Sequence, residues 1–283
     1  MTATTTPPQV RAETPGAKPS AVANGLVLVW RNLKRLPRQP DMVVYGTIQP
    51  IMFVVLFAYV FGGSISVGGS NDPRVYREFL MGGIFAETMA FAVASSSVGL
   101  ADDMKKGLVD RFRSLPIARS AVITGRVVGD LVFNAFVLVV LMLCGLVVGW
   151  RIRSTVAEAA LAVFILLLFT FAMLWVGALI GLSVKSAEVA ASAGLIWLFP
   201  LTFISNAFVD PSYMPGWLQP VAEWNPISAV ALSVRDLFGN PVGNRPDSFA
   251  GDHPVALTFI YLAAIIVLFS WLAVRKYQKA VTR

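Results

Sequence analysis

Six long apolar runs constrain this chain more than any other feature of its sequence. Each is long enough to cross about 30 Å of hydrocarbon, and five carry no charged residue. Only 14% of all residues are charged, against about 25% in soluble domains. The sequence therefore predicts an all-α integral membrane protein with a transmembrane domain over residues 41–274. The predicted spans are residues 43–63, 79–101, 131–150, 159–184, 189–209 and 254–274.

The distribution of Lys and Arg predicts the orientation of these spans. Most of the 23 basic residues lie in the two tails, in the loop between spans two and three, and in the loop between spans four and five. Because cytoplasmic loops are enriched in basic residues, both termini are predicted to be cytoplasmic in a multi-pass protein of the cytoplasmic membrane. Basic residues at the ends of apolar runs indicate contact with lipid headgroups rather than nucleic acid. The basic residues on the outer side are Arg74, Arg77, Arg151, Arg153, Arg235 and Arg245.

The two ends of the chain flank the spans with segments of different character. Residues 1–20 are rich in Thr, Pro and Ala, which predicts a disordered cytoplasmic tail. Residues 21–40 carry apolar side chains at helical spacing, including Trp30, and predict an amphipathic helix in the membrane interface. This helix is either a topology anchor or also a contact for a partner. Residues 275–283 form a basic cytoplasmic tail.

A short charged segment, residues 102–116, lies between the second and third spans. Met104, Leu108 and Phe112 fall on one helical face, and Pro116 ends the pattern. Asp102 and Asp103 are predicted to occupy the N-terminal end of this helix, where its dipole favours anions. Such a helix is too short to span and too apolar to remain free in water. It docks either on lipid headgroups or on a partner protein.

The loop after the fifth span contains a second short helix. Asn225 is a strong N-cap, Pro226 suits the first helical position, and Gly239 stops an apolar stripe that includes Val230 and Val234. We expect a helix over residues 226–238 that enters and leaves the outer leaflet on the same face. Arg235 lies on this helix, and its simplest interpretation is a side chain that snorkels to the outer headgroups.

Glu87 stands alone as a charged residue well inside a span. A carboxylate exposed to lipid at that depth costs at least about 2.5 kcal/mol, so Glu87 should face protein or water. It has either a role in transport or a structural hydrogen bond to a neighbouring helix. Two pairs of glycines, Gly145 with Gly149 and Gly177 with Gly181, match a motif for close helix packing that is common in apolar sequences.

Several chemistries are not supported by the sequence. There is no G-x-x-x-x-G-K-[ST] motif to hold a nucleotide triphosphate and no known hydrolase motif. A single cysteine, Cys144, and a single histidine, His253, provide neither a disulfide nor a recognisable metal site. No catalytic residue is therefore assigned, and the chain is not expected to be an enzyme by itself.

Three stretches of the sequence resemble one family. Residues 107–116, Gly-Leu-Val-Asp-Arg-Phe-Arg-Ser-Leu-Pro, are followed by Gly125-Arg126 and resemble the cytoplasmic signature of type 2 ABC exporter permeases. That family usually has Glu where this chain has Asp110, and Gly-Lys in place of Gly125-Arg126. Residues 224–227 with residues 235–237 resemble its outer motif. Residues 60–63 and 110–113 are similar to the daunorubicin/doxorubicin resistance permeases of actinobacteria.

The resemblance implies a six-span subunit that pairs with a second permease, as a homodimer or a related heterodimer. Two cytoplasmic ATPase subunits would bind ATP and Mg²⁺, while this chain would bind no cofactor or metal. The implied contacts with the ATPase are Asp103, Lys106, Gly107, Leu108, Asp110, Arg111, Phe112, Arg113, Pro116, Lys185 and Glu188. The residues assigned to the transport path are Glu87, Asn225, Pro226 and Arg235.

The predicted function is ATP-driven export of a hydrophobic or amphiphilic compound, such as a drug, an antibiotic or a lipid-like molecule. Two alternatives remain open. One is export of a glycan or lipid by the same type of transporter. The other is a membrane scaffold or channel that is not coupled to ATP.

Overall fold

The computed structural model describes residues 40–62, 65–105 and 119–282 of the 283-residue chain. Within those ranges the regular secondary structure is helical, apart from an isolated antiparallel bridge between Val67 and Ser70, and turns and loops connect the helices. The prediction of an all-α protein is confirmed for this part of the chain. The predicted tail over residues 1–20 and the interfacial helix, of which only Pro40 is described, fall outside it.

The helices follow one another in the order of the predicted spans. They are α1 (Pro40–Val55), α2 (Pro73–Ala90), α3 (Ala92–Lys105), α4 (Arg119–Val148), α5 (Val156–Gly181), α6 (Ala187–Leu195) and α7 (Leu198–Phe203). The outer segment and the last helix comprise α8 (Gln219–Glu223), α9 (Pro226–Phe238), α10 (Phe249–Asp252) and α11 (Pro254–Thr282). A π-helical segment, Leu56–Phe61, continues α1.

Among the described residues, four stretches are long and apolar enough to cross a membrane. They are Pro73–Lys105, Ile123–Val148, Val156–Gly181 and Pro254–Lys279, with lengths from 26 to 33 residues. The first and fifth predicted runs form the shorter apolar helices Gly46–Phe61 and Ala187–Phe203. The count of six spans therefore remains a prediction.

Each of these two shorter stretches contains a proline and an irregular helix. Pro50 lies inside α1 and has no N–H to donate, and the helix passes into π geometry after Val55. The fifth run is interrupted at Ile196 and Trp197, because Pro200 cannot donate a hydrogen bond to the carbonyl of Ile196. Helix α7 then ends at Phe203, and the residues up to 209 are in turns and bends.

Helix α5 is the central element of the bundle and packs against α2, α3, α4, α9 and α11. Its closest neighbour is α3. A Cβ added at Gly177 would lie 2.4 Å from the carbonyl oxygen of Val93, and one at Gly181 would lie 2.5 Å from that of Ser97. These two glycines therefore do provide the close packing that their spacing indicates. Gly145 and Gly149 do not form such a helix-packing pair, because Gly149 lies just beyond the end of α4 with a φ of +107°.

The second predicted span is one long element with a single irregularity. Helices α2 and α3 are separated by Phe91 alone, whose N–H still bonds to the carbonyl of Glu87 at 3.0 Å. Helix α3 then continues without a break through Asp102 to Lys105. The prediction that Asp102 and Asp103 begin a new helix is therefore wrong, because they lie in the last turn of α3. Residues 106–116 of the predicted helix lie outside the described residues.

Helix α9 has the bounds that its capping residues predict. The Asn225 side chain accepts a hydrogen bond from the Ile227 N–H at 2.8 Å, and Gly239 ends the helix with a φ of +69°. Its burial is wider than the predicted apolar stripe, because every residue from Ile227 to Arg235 is buried. The polar members find internal partners, as when Ser233 Oγ bonds to the carbonyl of Ala229 at 2.7 Å. Helix α9 is therefore packed on all sides over this stretch, whereas the sequence predicted that only one apolar stripe would be buried.

Candidate functional site

Glu87 lies near the middle of the long α2–α3 element and is 2% exposed. As predicted, its carboxylate faces protein. Its Oε2 atom is buried and has no hydrogen-bond partner among the described residues. A buried polar atom without a partner is costly, and one within a membrane span more so. The alternative of a structural hydrogen bond to a neighbouring helix is therefore not supported for this oxygen.

Glu87 lines a cavity of about 260 Å³ that lies between helices from distant parts of the chain. Helices α1, α2, α3, α4, α6 and α7 all contribute to its wall. The polar lining groups besides Glu87 are Gln49, Thr88, Ser95 and Asn134, and the aromatic ones are Phe53, Phe91, Phe133 and Phe199. The cavity is partly open and combines a mainly apolar wall with a single carboxylate.

Arg235 on α9 forms a second buried charged site, and its side chain is 0% exposed. Its Nε donates to the carbonyl of Phe79 at 2.7 Å, and its Nη2 donates to the carbonyls of Asn206 at 2.9 Å and Ala207 at 3.0 Å. The guanidinium carbon lies 3.6 Å from the centre of the Phe79 ring. The expectation that Arg235 snorkels to the headgroups is wrong, because the side chain is fully buried and its Nε and Nη2 donate to these carbonyls, while its Nη1 has no partner among the described residues.

The contacts of Arg235 join three parts of the fold: α2, α9 and the turn that follows α7. Two further contacts hold the same region. Asn225 Nδ2 donates to the carbonyl of Leu201 at 2.6 Å, and a Cβ added at Gly83 would lie 1.8 Å from the carbonyl oxygen of Ala207. Asn225, Pro226 and Arg235 therefore lie together as parts of one packed unit. They are separate from Glu87, whose cavity they do not line.

The structure contains two polar contacts that the sequence interpretation missed. Asp210 is fully buried and accepts hydrogen bonds from the Asn244 N–H at 2.7 Å and the Ser212 N–H at 3.0 Å. Glu78 pairs with Arg153 through several hydrogen bonds of up to 3.2 Å. The Asp210-Pro211 dipeptide is a recognisable turn signal, but the pairing of Glu78 with Arg153 brings together residues too distant in sequence for any local pattern.

The opposite end of the bundle carries the described part of the predicted ATPase contact. Asp103 forms an ion pair with Arg126 of α4, and Arg126 also contacts Asp130 at 3.2 Å. Arg126 compensates the unfavourable position of Asp103 at the C-terminal end of α3. The remaining residues of this predicted contact lie outside the described residues. They are Lys106, Gly107, Leu108, Asp110, Arg111, Phe112, Arg113 and Pro116.

Lys185 and Glu188 lie at the same end, Lys185 in the turn between α5 and α6 and Glu188 in the first turn of α6, and both are exposed. Ser186 caps α6 by accepting a hydrogen bond from the Val189 N–H at 3.3 Å. Hydrogen bonds from the Glu188 N–H and the Ser186 hydroxyl hold the pKa of Glu188 below its ordinary value, and the nearby charge of Lys105 adds to this. The end of α3 and the turn are thus neighbours.

Contacts along α3 connect this end with the rest of the bundle. Ser97 Oγ lies 3.1 Å from the carbonyl oxygen of Ala190 on α6, and Ser96 Oγ donates to the carbonyl of Leu174 on α5 at 3.0 Å. The end of α11 lies here as well, since Lys276 Nζ is 2.7 Å from Ser183 Oγ. From Glu87 to Asp103 the chain rises by about 24 Å along a nearly continuous helix.

Comparisons with known proteins agree on one family. Residues 24–238 match the model of the ABC-2 type transporter family. The chain is 28% identical over 262 residues to the daunorubicin resistance ABC transporter permease protein DrrB1 of Streptomyces coeruleorubidus, covering 93% of this chain and 88% of that one. It is 23% identical over 235 residues to the probable doxorubicin resistance ABC transporter permease protein DrrC of Mycobacterium tuberculosis, covering 81% and 83%. It is also 25% identical over 248 residues to the inner membrane transport permease YadH of Escherichia coli, covering 85% and 90%.

Proposed function

Because the chain belongs to the ABC-2 type transporter family, we propose that it is the permease subunit of an ATP-driven exporter. It moves a hydrophobic or amphiphilic compound out across the cytoplasmic membrane. A separate ATPase subunit binds ATP and Mg²⁺ and hydrolyses the nucleotide. The relatives named as drug-resistance permeases support a drug-like or antibiotic cargo.

The observation that carries this proposal is the position of the Glu87 cavity. Glu87 lies near the middle of the α2–α3 element, and α3 connects the cavity to the end of the bundle that carries Asp103, Lys185 and Glu188. A rigid helix between a cavity and an exposed charged surface is suited to transmit movement between them. In the proposed mechanism, nucleotide-dependent approach of two ATPases moves this end and changes access to the cavity.

The proposed assembly contains two permeases and two ATPases. Six spans place both termini and residues 106–116 in the cytoplasm, and this segment provides the main contact with the ATPase. Lys185 and Glu188 provide a smaller contact. On the outer side, α9 enters and leaves the membrane on one face, and Asn225, Pro226 and Arg235 maintain the shape of the exit through their packing.

Affinity purification followed by reconstitution tests the proposal. We expect a tagged chain to co-purify with an ABC ATPase and, in liposomes, to move an amphiphile only when ATP is hydrolysed. ATP-dependent transport measured with a panel of drugs and with a panel of lipids and glycans decides between a drug-like cargo and the alternative of lipid or glycan export. Flux that persists with a non-hydrolysable nucleotide would instead indicate a channel, and absence of both ATPase and flux would indicate a scaffold.

A charge reversal tests the proposed coupling segment. We expect Asp110→Lys to lower cargo-stimulated ATP hydrolysis while the chain still inserts, because the contact with the ATPase depends on this charge. The matched control is Asp252→Lys in α10, an exposed aspartate on the predicted outer side. Equal cargo-stimulated ATP hydrolysis in both variants would show that residues 106–116 act only as an interfacial anchor.

A further inference from the structure

Four of the basic residues predicted for the outer side lie in two short segments of the chain. Arg74 and Arg77 are in the first two turns of α2, and Arg151 and Arg153 are in the loop between α4 and α5. Because Lys and Arg concentrate in cytoplasmic loops, four arginines in two short outer segments are unusual. We call these four residues the arginine corner.

The two segments meet at the C-terminal end of α4. Arg77 Nη1 donates to the carbonyl of Val148 at 3.2 Å, and Arg151 Nη1 donates to the carbonyl of Leu146 at 2.6 Å. Both guanidinium groups therefore lie at one helix end, where the helix dipole favours cations. Arg74 is exposed and precedes Arg77 by three residues, so it lies on the same face of α2.

The carboxylates nearest in sequence to the arginine corner already have partners within the fold. They are Asp72, which caps α2, Glu78, which pairs with Arg153, and Glu158, which belongs to the capping box of α5. Among the described residues, no carboxylate forms an ion pair with Arg74, Arg77 or Arg151. The Nη2 atoms of Arg77 and Arg151 likewise donate to none of these residues. These donors are available to an anion, and the guanidinium fork matches phosphate in particular.

The surface next to the arginine corner is apolar and exposed. On α4, Val147 is 86% exposed and Leu143 is 58% exposed, and Val156 at the start of α5 is 87% exposed. Both helices are among the stretches long and apolar enough to cross a membrane. Cationic donors thus lie beside a wall that faces lipid. A ligand that matches both has an anionic head and hydrocarbon chains, which is the chemistry of a phospholipid.

Contacts with the end of α9 hold the loop of the arginine corner in place. Trp150 is fully buried, and its Nε1 donates to Asn240 Oδ1 at 2.7 Å. Asn240 Nδ2 in turn donates to the carbonyl of Arg151 at 2.8 Å. The Arg153 N–H donates to the carbonyl of Phe238 at 2.9 Å. Because the backbone is fixed before a ligand arrives, less conformational freedom is lost on binding.

We propose that the arginine corner binds the headgroup of an anionic phospholipid, in the outer leaflet of the proposed topology. The lipid phosphate lies between Arg77 and Arg151, Arg74 adds a third positive charge, and the acyl chains lie along Leu143 and Val147. Phosphatidylglycerol binds more tightly than phosphatidylcholine, because the trimethylammonium group of the latter cancels the charge of its phosphate. The lipid stays bound to the permease and is not its cargo, so the site is independent of the exporter function.

Fluorescence quenching in lipid nanodiscs tests the site. Leu143→Cys in a Cys144→Ala background is labelled with bimane, and the full chain is placed in mixtures of phosphatidylcholine and phosphatidylglycerol. One of the two lipids carries brominated acyl chains, which quench the label on contact. We expect the association constant at this position to be at least about fivefold higher for phosphatidylglycerol, since one basic residue near an anionic headgroup contributes about that factor.

The matched control is Ile260→Cys on α11 in the same background. Ile260 is 56% exposed, close to the 58% of Leu143. Because α11 begins at Pro254 and α4 ends at Val148, both labels lie roughly 8 Å from the outer end of their helix. An exposed aspartate, Asp252, lies just before α11. We therefore expect no preference for phosphatidylglycerol at Ile260.

Substitutions of the arginines assign the preference to particular side chains. We expect Arg77→Gln combined with Arg151→Gln to remove the preference at Leu143. Arg74→Gln should lower it at least about twofold. The side chain of Arg74 makes no hydrogen bond to a described residue, so this variant tests the site even if the double variant does not fold. Arg245→Gln is the control, because Arg245 pairs with Asp236 outside the arginine corner.

Three results would overturn the site. The first is equal quenching by the two brominated lipids at Leu143, or an equal loss of preference in Arg74→Gln and Arg245→Gln. The second is a preference abolished by inorganic phosphate but not by sodium chloride of the same ionic strength, which would indicate a general anion site. The third is a label at Leu143 that neither lipid quenches, because another protein surface then covers this face. None of these results depends on ATP-driven flux, which tests the proposed function separately.

Discussion

Arg235 and Glu87 are both ionisable and both buried, yet their surroundings differ. Arg235 donates to the carbonyls of Phe79, Asn206 and Ala207 and lies against an aromatic ring. Nη1 of Arg235 and Oε2 of Glu87 both have no hydrogen-bond partner among the described residues, but of the two only Glu87 lines the cavity. The difference indicates that burial alone does not reveal the role of a charged residue in a membrane protein. Three hydrogen bonds make Arg235 part of the packing between α2, α9 and the turn after α7, whereas no side-chain hydrogen bond joins Glu87 to a neighbouring helix among the described residues.

Replacement of Arg235 should have the largest effect on stability. Arg235→Met leaves three carbonyl contacts unmade in a buried site, so we expect a loss of about 3–5 kcal/mol in the free energy of unfolding. Thermal unfolding of the purified chain in detergent measures it. Arg245→Met is the control, because Arg245 is partly exposed in its ion pair with Asp236 and should cost about 1 kcal/mol or less. Equal losses would show that Arg235 is no more structural than a surface charge.

Gly83→Ala should disturb the same region from the opposite side. The added Cβ would lie 1.8 Å from the carbonyl oxygen of Ala207, which also accepts a hydrogen bond from Arg235. We expect a loss of about 1–3 kcal/mol in the same unfolding assay, the usual range for overpacking. Gly216→Ala should be nearly neutral, because nothing lies within 4 Å of the added Cβ. A neutral Gly83→Ala would mean that the turn after α7 moves freely and that Arg235 does not hold it.

Asp103 provides an intermediate case, a charge that is paired but partly exposed. Its side chain is 30% exposed and its partner Arg126 is 32% exposed. We expect Asp103→Asn to lower stability by about 1 kcal/mol or less and to make the remaining effect weaker at high salt. A loss as large as that of Arg235→Met would place Asp103 among the structural charges instead.

Glu87→Gln should have the smallest effect on stability, although it removes a buried charge. Because no described group bonds to Oε2, the substitution breaks no ion pair, and we expect a change of less than about 1 kcal/mol or a small gain. The same unfolding assay measures it. A large loss would show that Glu87 has a structural partner, and the contrast with Arg235 would then disappear.

Local sequence patterns were sufficient to predict several elements of the fold. The capping of α9 by Asn225 and Gly239, the turn that ends at Ser186 and the packing role of Gly177 and Gly181 depend on backbone rules that act over a few residues. The same short-range patterns were misleading at Asp102. The acidic pair suggested a helix start, but α3 was already formed and continued through it.

The sequence by itself determined that this chain is a helical membrane protein, since runs of this length and apolarity can satisfy their backbone groups in lipid only as helices. It also identified Glu87, because an ionisable residue inside an apolar run can be recognised without knowing how the helices pack. Only the tertiary structure decided what each charge does. The carbonyls around Arg235 come from residues as far as 156 positions away, and the wall beside Glu87 comes from six helices. Such surroundings depend on how distant segments pack, and no local pattern in the sequence encodes them.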